Sequence, residues 1–475
     1  MKKYDAIIIG TGQAGIPLAA KLEKEGKTVA IIEKNKIGGT CVNDGCTPTK
    51  AYVASARRAF VAKNSEDFGI EIEDIKINLK KIKERKDKIV SNSHTSIQKL
   101  FDGLKNLDFY EGEGLFTKNE NSEANIIEIK TKDGKIQKIE GKQIFINVGA
   151  KAIIPKEYQK LDYLTNTSIL ELEEVPQHLI VIGAGYIGLE FSQMFARFGS
   201  KVTILEQNER FLHKEDKDVA DEIKKVLEKE LITIHTNAKN IKVTQEKNEK
   251  QEGKTTISFE KEGKKHTLEG SHILISVGRK PNTKNLNLEK IGVKTDERGY
   301  IKVNQHFQTN KKHIFALGDC NGEGAFTHTA YNDFEIVSDF LFGEKKRKLS
   351  DRIQCYSMFI DPPLARVGIN EEQAKQKMKE DKSLKIVQAF RKMERVARAT
   401  EKGETDGMMK ILIDEKTEKI LGATFFGISA DETIHAVIDI MYANKSYKTI
   451  RDAVHIHPTV SELIPTMLES LRELK

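Results

Sequence analysis

Tryptophan is absent from this 475-residue chain, and cysteine occurs only four times. Four cysteines in a chain this long exclude a disulfide scaffold. Such scarcity fits a reducing compartment, where a paired cysteine motif serves catalysis more often than structure. No apolar run approaches the ~20 residues that span a bilayer. The start, Met1-Lys2-Lys3 followed by Ala6-Ile7-Ile8-Ile9, resembles a signal peptide only superficially, because Gly10, Gly12 and Gly15 interrupt it. The expectation is a cytoplasmic protein without a membrane partner. A large excess of one charge is lacking too: 78 basic and 71 acidic residues leave a net +7. Runs such as Lys80-Lys81-Ile82-Lys83-Glu84-Arg85-Lys86 include or border acidic residues, so they read as solvated faces and no nucleic-acid partner is expected.

What is present supports real cores: 38% of residues are hydrophobic, and the length suggests roughly two to four domains. Two of the four cysteines, Cys41 and Cys46, share the stretch Gly38-Gly39-Thr40-Cys41-Val42-Asn43-Asp44-Gly45-Cys46-Thr47-Pro48-Thr49-Lys50. It lies between a strand-like run, 28–33, and a helix-like run, 51–60. At this spacing the two thiols could meet across the first turn of a helix, whose N-terminus also stabilises a thiolate. That is the pattern of a redox-active pair. Two buried thiols packing as small hydrophobes, or half of a zinc site, are the other readings of this stretch. No second Cys/His pair at ligand spacing lies nearby, so no metal site is expected.

Tyr4-Asp5-Ala6-Ile7-Ile8-Ile9-Gly10 reads as a buried parallel strand. Gly10-Thr11-Gly12-Gln13-Ala14-Gly15 follows, then a helix over about 16–25 and a strand ending at Glu33, eighteen positions past Gly15. This is a dinucleotide-binding βαβ unit: glycines for the tight turn and close pyrophosphate approach, a helix N-terminus for the phosphates, an acid for a ribose hydroxyl. The pattern recurs with Gly183, Gly185 and Gly188, and Glu206 stands eighteen positions past Gly188. Two fingerprints imply two dinucleotides. Between them, 66–105 is helix-patterned with apolar points at Ile75, Ile77, Leu79, Ile82 and Ile89, and 107–150 is β-like. A helix near 216–230, a solvated hairpin around 245–255 and strands at 271–277 and 313–319 follow. Beyond about 350, short strands (409–413, 420–426) and helices near 430–443 and 460–473 read as a separate α+β domain. The fold class is α/β, with two Rossmann-like dinucleotide-binding domains and a C-terminal α+β domain.

Six ordered motifs carry a resemblance: the glycines at 10–15, the cysteine stretch at 38–50, Gly-Ala-Gly-Tyr-Ile-Gly-Leu-Glu at 183–190, Ser-Val-Gly-Arg-Lys-Pro-Asn-Thr at 276–283, Ala-Leu-Gly-Asp at 316–319, and His-Pro-Thr-Val-Ser-Glu at 457–462. Together they resemble the class I pyridine nucleotide-disulfide oxidoreductases, which include dihydrolipoyl dehydrogenase, glutathione reductase and mercuric reductase. The resemblance implies an FAD domain at 1–150 and 280–349, an NAD domain at 151–279, and a dimerisation domain at 350–475. Gly10, Gly12, Gly15, Glu33, Gly39, Thr40, Gly149 and Asp319 would hold FAD. Gly183, Gly185, Gly188, Glu206 and Gly278 would hold the nicotinamide nucleotide, with Tyr186 gating its pocket. Cys46 would be the flavin-facing thiolate and Cys41 the thiol that meets substrate. Lys50 would lie near the flavin, paired with Glu190. His457, held by Glu462, would be the acid/base serving Cys41 of the other subunit in a homodimer with a composite site. His455, Cys320 and Cys355 are assigned ordinary packing roles, although Cys320 follows Gly-Asp and could lie near flavin.

Glu206 would bond a 2′-OH and repel a 2′-phosphate, which predicts NADH over NADPH. Dihydrolipoyl dehydrogenases usually carry Ala-His-Lys after the flavin-binding Asp, where this chain reads Ala325-Phe326-Thr327-His328-Thr329-Ala330-Tyr331-Asn332-Asp333, and they usually lack Tyr186. Both departures point away from lipoamide. The stretches Asp361-Pro362-Pro363-Leu364-Ala365-Arg366-Val367-Gly368 and 327–333 are more similar to the mercuric reductase-like branch, and also to flavoproteins that reduce copper(II) or reactive chlorine species. The vicinal C-terminal cysteine pair of mercuric reductases is not found in 469–475. The expected acceptor is therefore thiol-reactive, and either a metal ion or a small molecule that is an oxidant or a disulfide. Dihydrolipoyl dehydrogenase and a low-turnover redox sensor are the alternatives. Asp44 stands where the family usually has an apolar residue, and its charge is expected to shift the redox potential of the cysteine pair.

Overall fold

The computed structural model describes residues 1–117, 125–247 and 253–474. The first strand, β1 (Lys2–Ile9), pairs in parallel with β2 (Val29–Glu33), placing Ala6 opposite Val29 and Ile9 opposite Ile32. Residues 6–9 and 29–32 are at most 4% exposed, as a strand covered on both faces requires. On the other side β1 pairs in parallel with the strand Ile136–Ile146. That strand is antiparallel to Asn125–Lys130 along its early part and parallel to Ile314–Ala316 at its end. The chain therefore returns to this sheet late, and delivers residues 317–320 to the same edge at which β1 ends.

A second sheet is fully parallel, in the order Thr233–His235, Lys201–Leu205, His178–Ile182, His272–Ile275. A third is a six-stranded antiparallel sheet built from residues 355–473. Helix α1 (Gly15–Lys24) follows the first strand. Next come the short α2 (Gly39–Asn43), α3 (Cys46–Lys63) and α4 (Leu79–Gly103). Helix α5 (Tyr186–Phe198) opens the second parallel unit. Tyr52 on α3 is fully buried, edge-on to Phe198 of α5 with centroids 6.2 Å apart, in one apolar cluster with Leu79, Phe191, Phe195, Leu364 and Phe426. That cluster packs α3 against elements of the second and third sheets.

The structure corrects several sequence expectations. The helix anticipated over 66–105 runs only Leu79–Gly103, because Asn78 Oδ1 accepts from Lys81 N at 3.0 Å and caps its start. Ile75 and Ile77 precede it. The helix expected at 460–473 is Leu463–Leu468, and Arg472–Glu473 instead joins the antiparallel sheet. The helix expected at 430–443 is two pieces, Ala430–Thr433 and His435–Tyr442. The strand expected at 313–319 is Ile314–Ala316, and Gly318–Cys320 forms a tight turn. The tip of the solvated hairpin, 248–252, lies outside the described residues.

A buried cation on the third sheet gathers carboxylates from the starts of two helices, Lys217–Lys229 and Glu371–Glu380. Lys410, 2% exposed, donates to Asp216 (2.9 Å), Asp218 (2.8 Å) and Glu371 (2.7 Å). Its pKa is raised because these acids outweigh the burial that opposes its charge. Lys410→Met would leave three facing carboxylates without a cation, a loss on the order of 3–5 kcal/mol. The expected outcome is a large fall in melting temperature, partly restored by acid. A thermal melt unchanged at neutral pH would refute it.

Candidate active site

Each fingerprint loop is shaped by its own sheet. Gly10 has φ +106°, and a Cβ there would lie 2.2 Å from Asn147 O. Gly15 sits where a Cβ would meet Gly10 O at 2.5 Å, so α1 packs directly on the loop. Asn147 Oδ1 accepts from Gly15 N (2.9 Å), and its Nδ2 donates to Leu317 O (2.8 Å). Glu33 accepts from Thr11 N (3.0 Å), Thr11 Oγ1 (2.7 Å) and Asn35 N (2.9 Å). The second loop repeats the construction. A Cβ on Gly188 would lie 2.3 Å from Gly183 O. Ser276 Oγ donates to Ile182 O (3.1 Å) and Gly183 O (2.9 Å), and Glu206 accepts from Ala184 N (2.9 Å) and Asn208 N (2.8 Å).

Gly185 differs. Its φ is −78°, and a Cβ there would meet nothing within 4 Å. Neither backbone nor packing demands glycine at this position. The open space lies at the N-terminus of α5, where free N–H groups and the helix dipole suit a phosphate. Gly278, φ +126°, turns the chain after Ser276, and its carbonyl accepts from Ile153 N at 2.9 Å.

A cavity of about 780 Å³ opens between the two parallel sheets. Gly10, Gly12, Glu33, Gly39, Thr40 and Gly149 line it, with Asp319 on the returning turn. Cys41, Asp44, Cys46, Lys50, Tyr186 and Glu190 line it too. Among the described residues, Asp319 takes no side-chain hydrogen bond from a residue beyond its own backbone. Burial raises its pKa, against the pull of Arg279. A half-buried carboxylate facing a cavity is suited to a ligand hydroxyl, so the residues fit the flavin nucleotide that the sequence resemblance implies. Gly15, Gly183, Gly188 and Glu206 do not line this cavity; they shape the loops behind it and beside it.

The thiols sit on two helices, not across one turn as expected. Cys41 belongs to α2, and Cys46 is the first residue of α3. Cys46 Sγ contacts Thr327 Oγ1 at 3.3 Å. Lys50 is one turn further along α3. Its Nζ reaches Glu190 Oε2 at 2.5 Å and lies 4.4 Å from the centre of the Phe359 ring. Glu190 Oε1 accepts from Phe359 N at 2.8 Å. These neighbours split the pair. Cys46 is lowered to about 6, chiefly by a hydrogen bond from Cys41, then by Thr327 and the Lys50 cation, against burial and Glu190. Cys41 is raised above the ordinary thiol range by the same bond and by burial. Asp44 is raised by burial, opposed by Thr167, Arg279 and Lys36.

Tyr186 stands against Phe326, centroids 5.7 Å apart. Cys320 is wholly buried, between Ile146 O (3.5 Å) and Leu317 O (3.4 Å), and burial pushes it up to about 12. It does not line the cavity. His457 Nδ1 meets Glu462 Oε2 at 2.9 Å, and its side chain is 77% exposed, outside the cavity of its own chain. His455 Nδ1 bonds Ser461 O at 3.0 Å. Sequence reasoning missed Asn147, Arg279 and Thr327. Asn147 closes a strand beside a glycine, and Thr327 follows the Gly-Asp turn; each was visible only as a polar residue at a strand or helix end.

Comparison with known proteins agrees with this geometry. The signature of the family described as pyridine nucleotide-disulphide oxidoreductase matches residues 4–333, and that of the family's dimerisation domain matches 355–468. The chain is 34% identical over 472 residues to the probable pyridine nucleotide-disulfide oxidoreductase RclA of Escherichia coli (strain K12), covering 97% of this chain and 98% of RclA. A solved structure described as the Cu(II) complex of HOCl-induced flavoprotein disulfide reductase RclA from E. coli superposes with a TM-score of 0.86, at 33% identity over 99% of both chains. A mercuric reductase of Staphylococcus aureus is 32% identical, covering 97% of this chain and 81% of that protein. A dihydrolipoyl dehydrogenase of Geobacillus stearothermophilus is also 32% identical, covering 97% and 94%. Proteins of this family bind FAD and use NAD(P)H. Among the described residues, no helix is long and apolar enough to cross a membrane. With its fingerprint loops, paired thiols and matching domains, this chain belongs to the pyridine nucleotide-disulphide oxidoreductases and is an enzyme of that family.

Proposed function

We propose that this enzyme takes two electrons from NADH and passes them through Cys41 and Cys46 to copper(II) or a reactive oxidant. The observation that carries the reading is the unequal setting of the two thiols. In this reading 1–150 and 280–349 hold FAD, 151–279 hold the nicotinamide nucleotide, and 350–475 build a homodimer. FAD, when bound, supplies two-electron transfer from the nicotinamide to the disulfide.

The residues divide the remaining work. Thr327 and Lys50 hold charge on Cys46 once the disulfide opens, and Glu190 fixes Lys50. Cys41, kept protonated, is the thiol that meets the acceptor, and it needs a base to release its proton. His457 supplies that base from a second copy, its Nδ1 oriented by Glu462. Its exposure in a single chain is what a group serving another subunit requires. With copper(II), the dithiol returns to the disulfide while two copper(II) become two copper(I) and two protons leave. Thiolates are suitable ligands for the copper(I) formed. The likeness to RclA, described as an HOCl-induced reductase and solved as a Cu(II) complex, supports this acceptor class. The departure of 325–333 from the Ala-His-Lys pattern, together with Tyr186, supports an acceptor other than lipoamide.

NADH oxidation by the purified flavoprotein tests the reading. Copper(II) or a hypochlorous-acid-derived oxidant should support turnover at least ~10-fold faster than lipoamide, and Cys41→Ser should lose it. Faster turnover with lipoamide would overturn the assignment. NADH should exceed NADPH in kcat/KM by ~10-fold, about 1.4 kcal/mol; the reverse preference would refute the role of Glu206.

The split of the thiols gives a pH prediction. Below its pKa Cys46 is protonated and unreactive; above it, the thiolate alkylates. In the reduced enzyme, half-maximal alkylation of Cys46 should fall near pH 6, following its lowered pKa of about 6, against ~8.5 for a free thiol. Lys50→Met should move the midpoint upward, because it removes the cation. A midpoint above pH ~8 in the unsubstituted enzyme would refute the assignment.

A further inference from the structure

The chain turns at Gly318, just after the short strand Ile314–Ala316, and Asp319 follows at the cavity wall. Gly318 has φ +73°, and a Cβ there would lie 2.9 Å from Asn147 Nδ2 and 3.4 Å from the Ala330 Cβ. The turn thus fits between Asn147, which braces the first glycine loop, and the helix Thr327–Phe342. Leaving the strand frees the Gly318 amide from sheet pairing, and a buried N–H needs another acceptor. It donates to Asp333 Oδ2 at 2.7 Å. The same oxygen accepts from Asn321 Nδ2 at 2.9 Å, and Asn321 N donates to Gly318 O at 3.0 Å. One carboxylate oxygen therefore holds both residues that bracket Asp319 and Cys320. The far side of the turn is tied separately, through Ile301 N to Cys320 O at 2.9 Å.

Asp333 lies in the second turn of the helix that Thr327 begins, and it is 2% exposed. Its other oxygen takes Arg352, whose side chain is also buried and whose Nε donates to Asn332 Oδ1 at 2.8 Å. A carboxylate this deep is costly without such a cation. Neither Asp333 nor Arg352 lines the cavity. We propose that Asp333, held by Arg352, is a positioning residue that fixes the turn from behind and so keeps Asp319 in place for the flavin nucleotide. The inference rests on the flavin reading of this cavity. An ion pair serving cohesion alone has no need of the turn, whereas here a whole carboxylate oxygen is given to it. The helix fastened in this way begins at Thr327, which meets Cys46. The turn at the flavin site and the hydroxyl at the thiol are thereby joined through one helix.

FAD release from the holoenzyme tests the proposal. Each variant is purified with FAD added and diluted at a temperature where circular dichroism shows native structure. Release is followed by the fluorescence that FAD gains on leaving the protein. Asp333→Ala should release FAD about tenfold faster, the factor expected for one hydrogen bond to a charged group. Asp333→Asn, which keeps an oxygen for Gly318 N, should release it about threefold faster, since a neutral acceptor bonds roughly half as strongly. A double-mutant cycle separates positioning from general loosening. If Asp333 acts through Asp319, the double variant Asp319→Ala/Asp333→Ala releases FAD within about twofold of Asp319→Ala alone. Loosening of the fold would instead multiply the two factors. Multiplied factors, or an Asp333→Ala rate within about twofold of the unsubstituted enzyme, would overturn the assignment. Should Asp333→Ala not fold, Asp333→Asn carries the same cycle, and its effect should vanish in the Asp319→Ala background. If Asp319→Ala itself releases FAD no faster than the unsubstituted enzyme, the flavin reading of Asp319 fails, a result distinct from loss of the positioning role.

Discussion

The ion pair between Lys50 and Glu190 is the constraint on which the site depends. Glu190 is 6% exposed on its side chain, and a carboxylate so placed is costly unless it is paired and hydrogen-bonded. One oxygen takes Lys50 of α3, and the other takes the backbone of Phe359. Three parts of the chain thus converge on one side chain: the cysteine helix, the helix that opens the second parallel unit, and the connection between the first two strands of the antiparallel sheet. The arrangement leaves a cation one helical turn from Cys46, where it favours the thiolate. Structural cohesion and thiol chemistry draw on the same interaction.

The two parallel units solve one problem in one way. In each, a glycine in the left-handed region turns the chain against a neighbouring strand, and a later glycine lets the helix lie on the loop. The carboxylate ending the next strand binds the amide of the residue between the first two glycines, Thr11 or Ala184. They differ in what bridges the sheet to the loop. Asn147 binds the start of α1 and also the returning strand at Leu317, whereas Ser276 binds only within its own unit. The extra reach of Asn147 matches the first unit's interrupted course, which must recover a strand from residues 314–316.

Much of this was legible in the sequence because it is local. Glycine spacing, strand hydrophobicity and the acids at fixed offsets specify the two loops within about thirty residues each. Cys41, Cys46 and Lys50 are likewise legible, since one short stretch carries all three. Residues whose partners lie far along the chain were not legible. Asn147 acts on Gly15 and Leu317, and Thr327 reaches Cys46 across 281 positions. Helix ends failed for a related reason. Ile75 and Ile77 continue an apolar pattern before α4, but Asn78 caps it, and capping geometry overrides periodicity. The placement of the cysteines on two helices turns on Asp44 and Gly45, whose φ of −149° and −125° depart from helical backbone, and a side chain at position 45 would meet Thr40 O at 2.7 Å.

The bonding of Glu206 bears on coenzyme engineering. Its two oxygens are already occupied, one by Ala184 N of the glycine loop and the other by Asn208. The side chain that would face a ribose is therefore also the one that shapes the loop. Replacing it with arginine to recruit a 2′-phosphate would install the cation and remove the brace together. Retuning this enzyme for a different dinucleotide is a problem of redesigning a loop, not of exchanging one side chain.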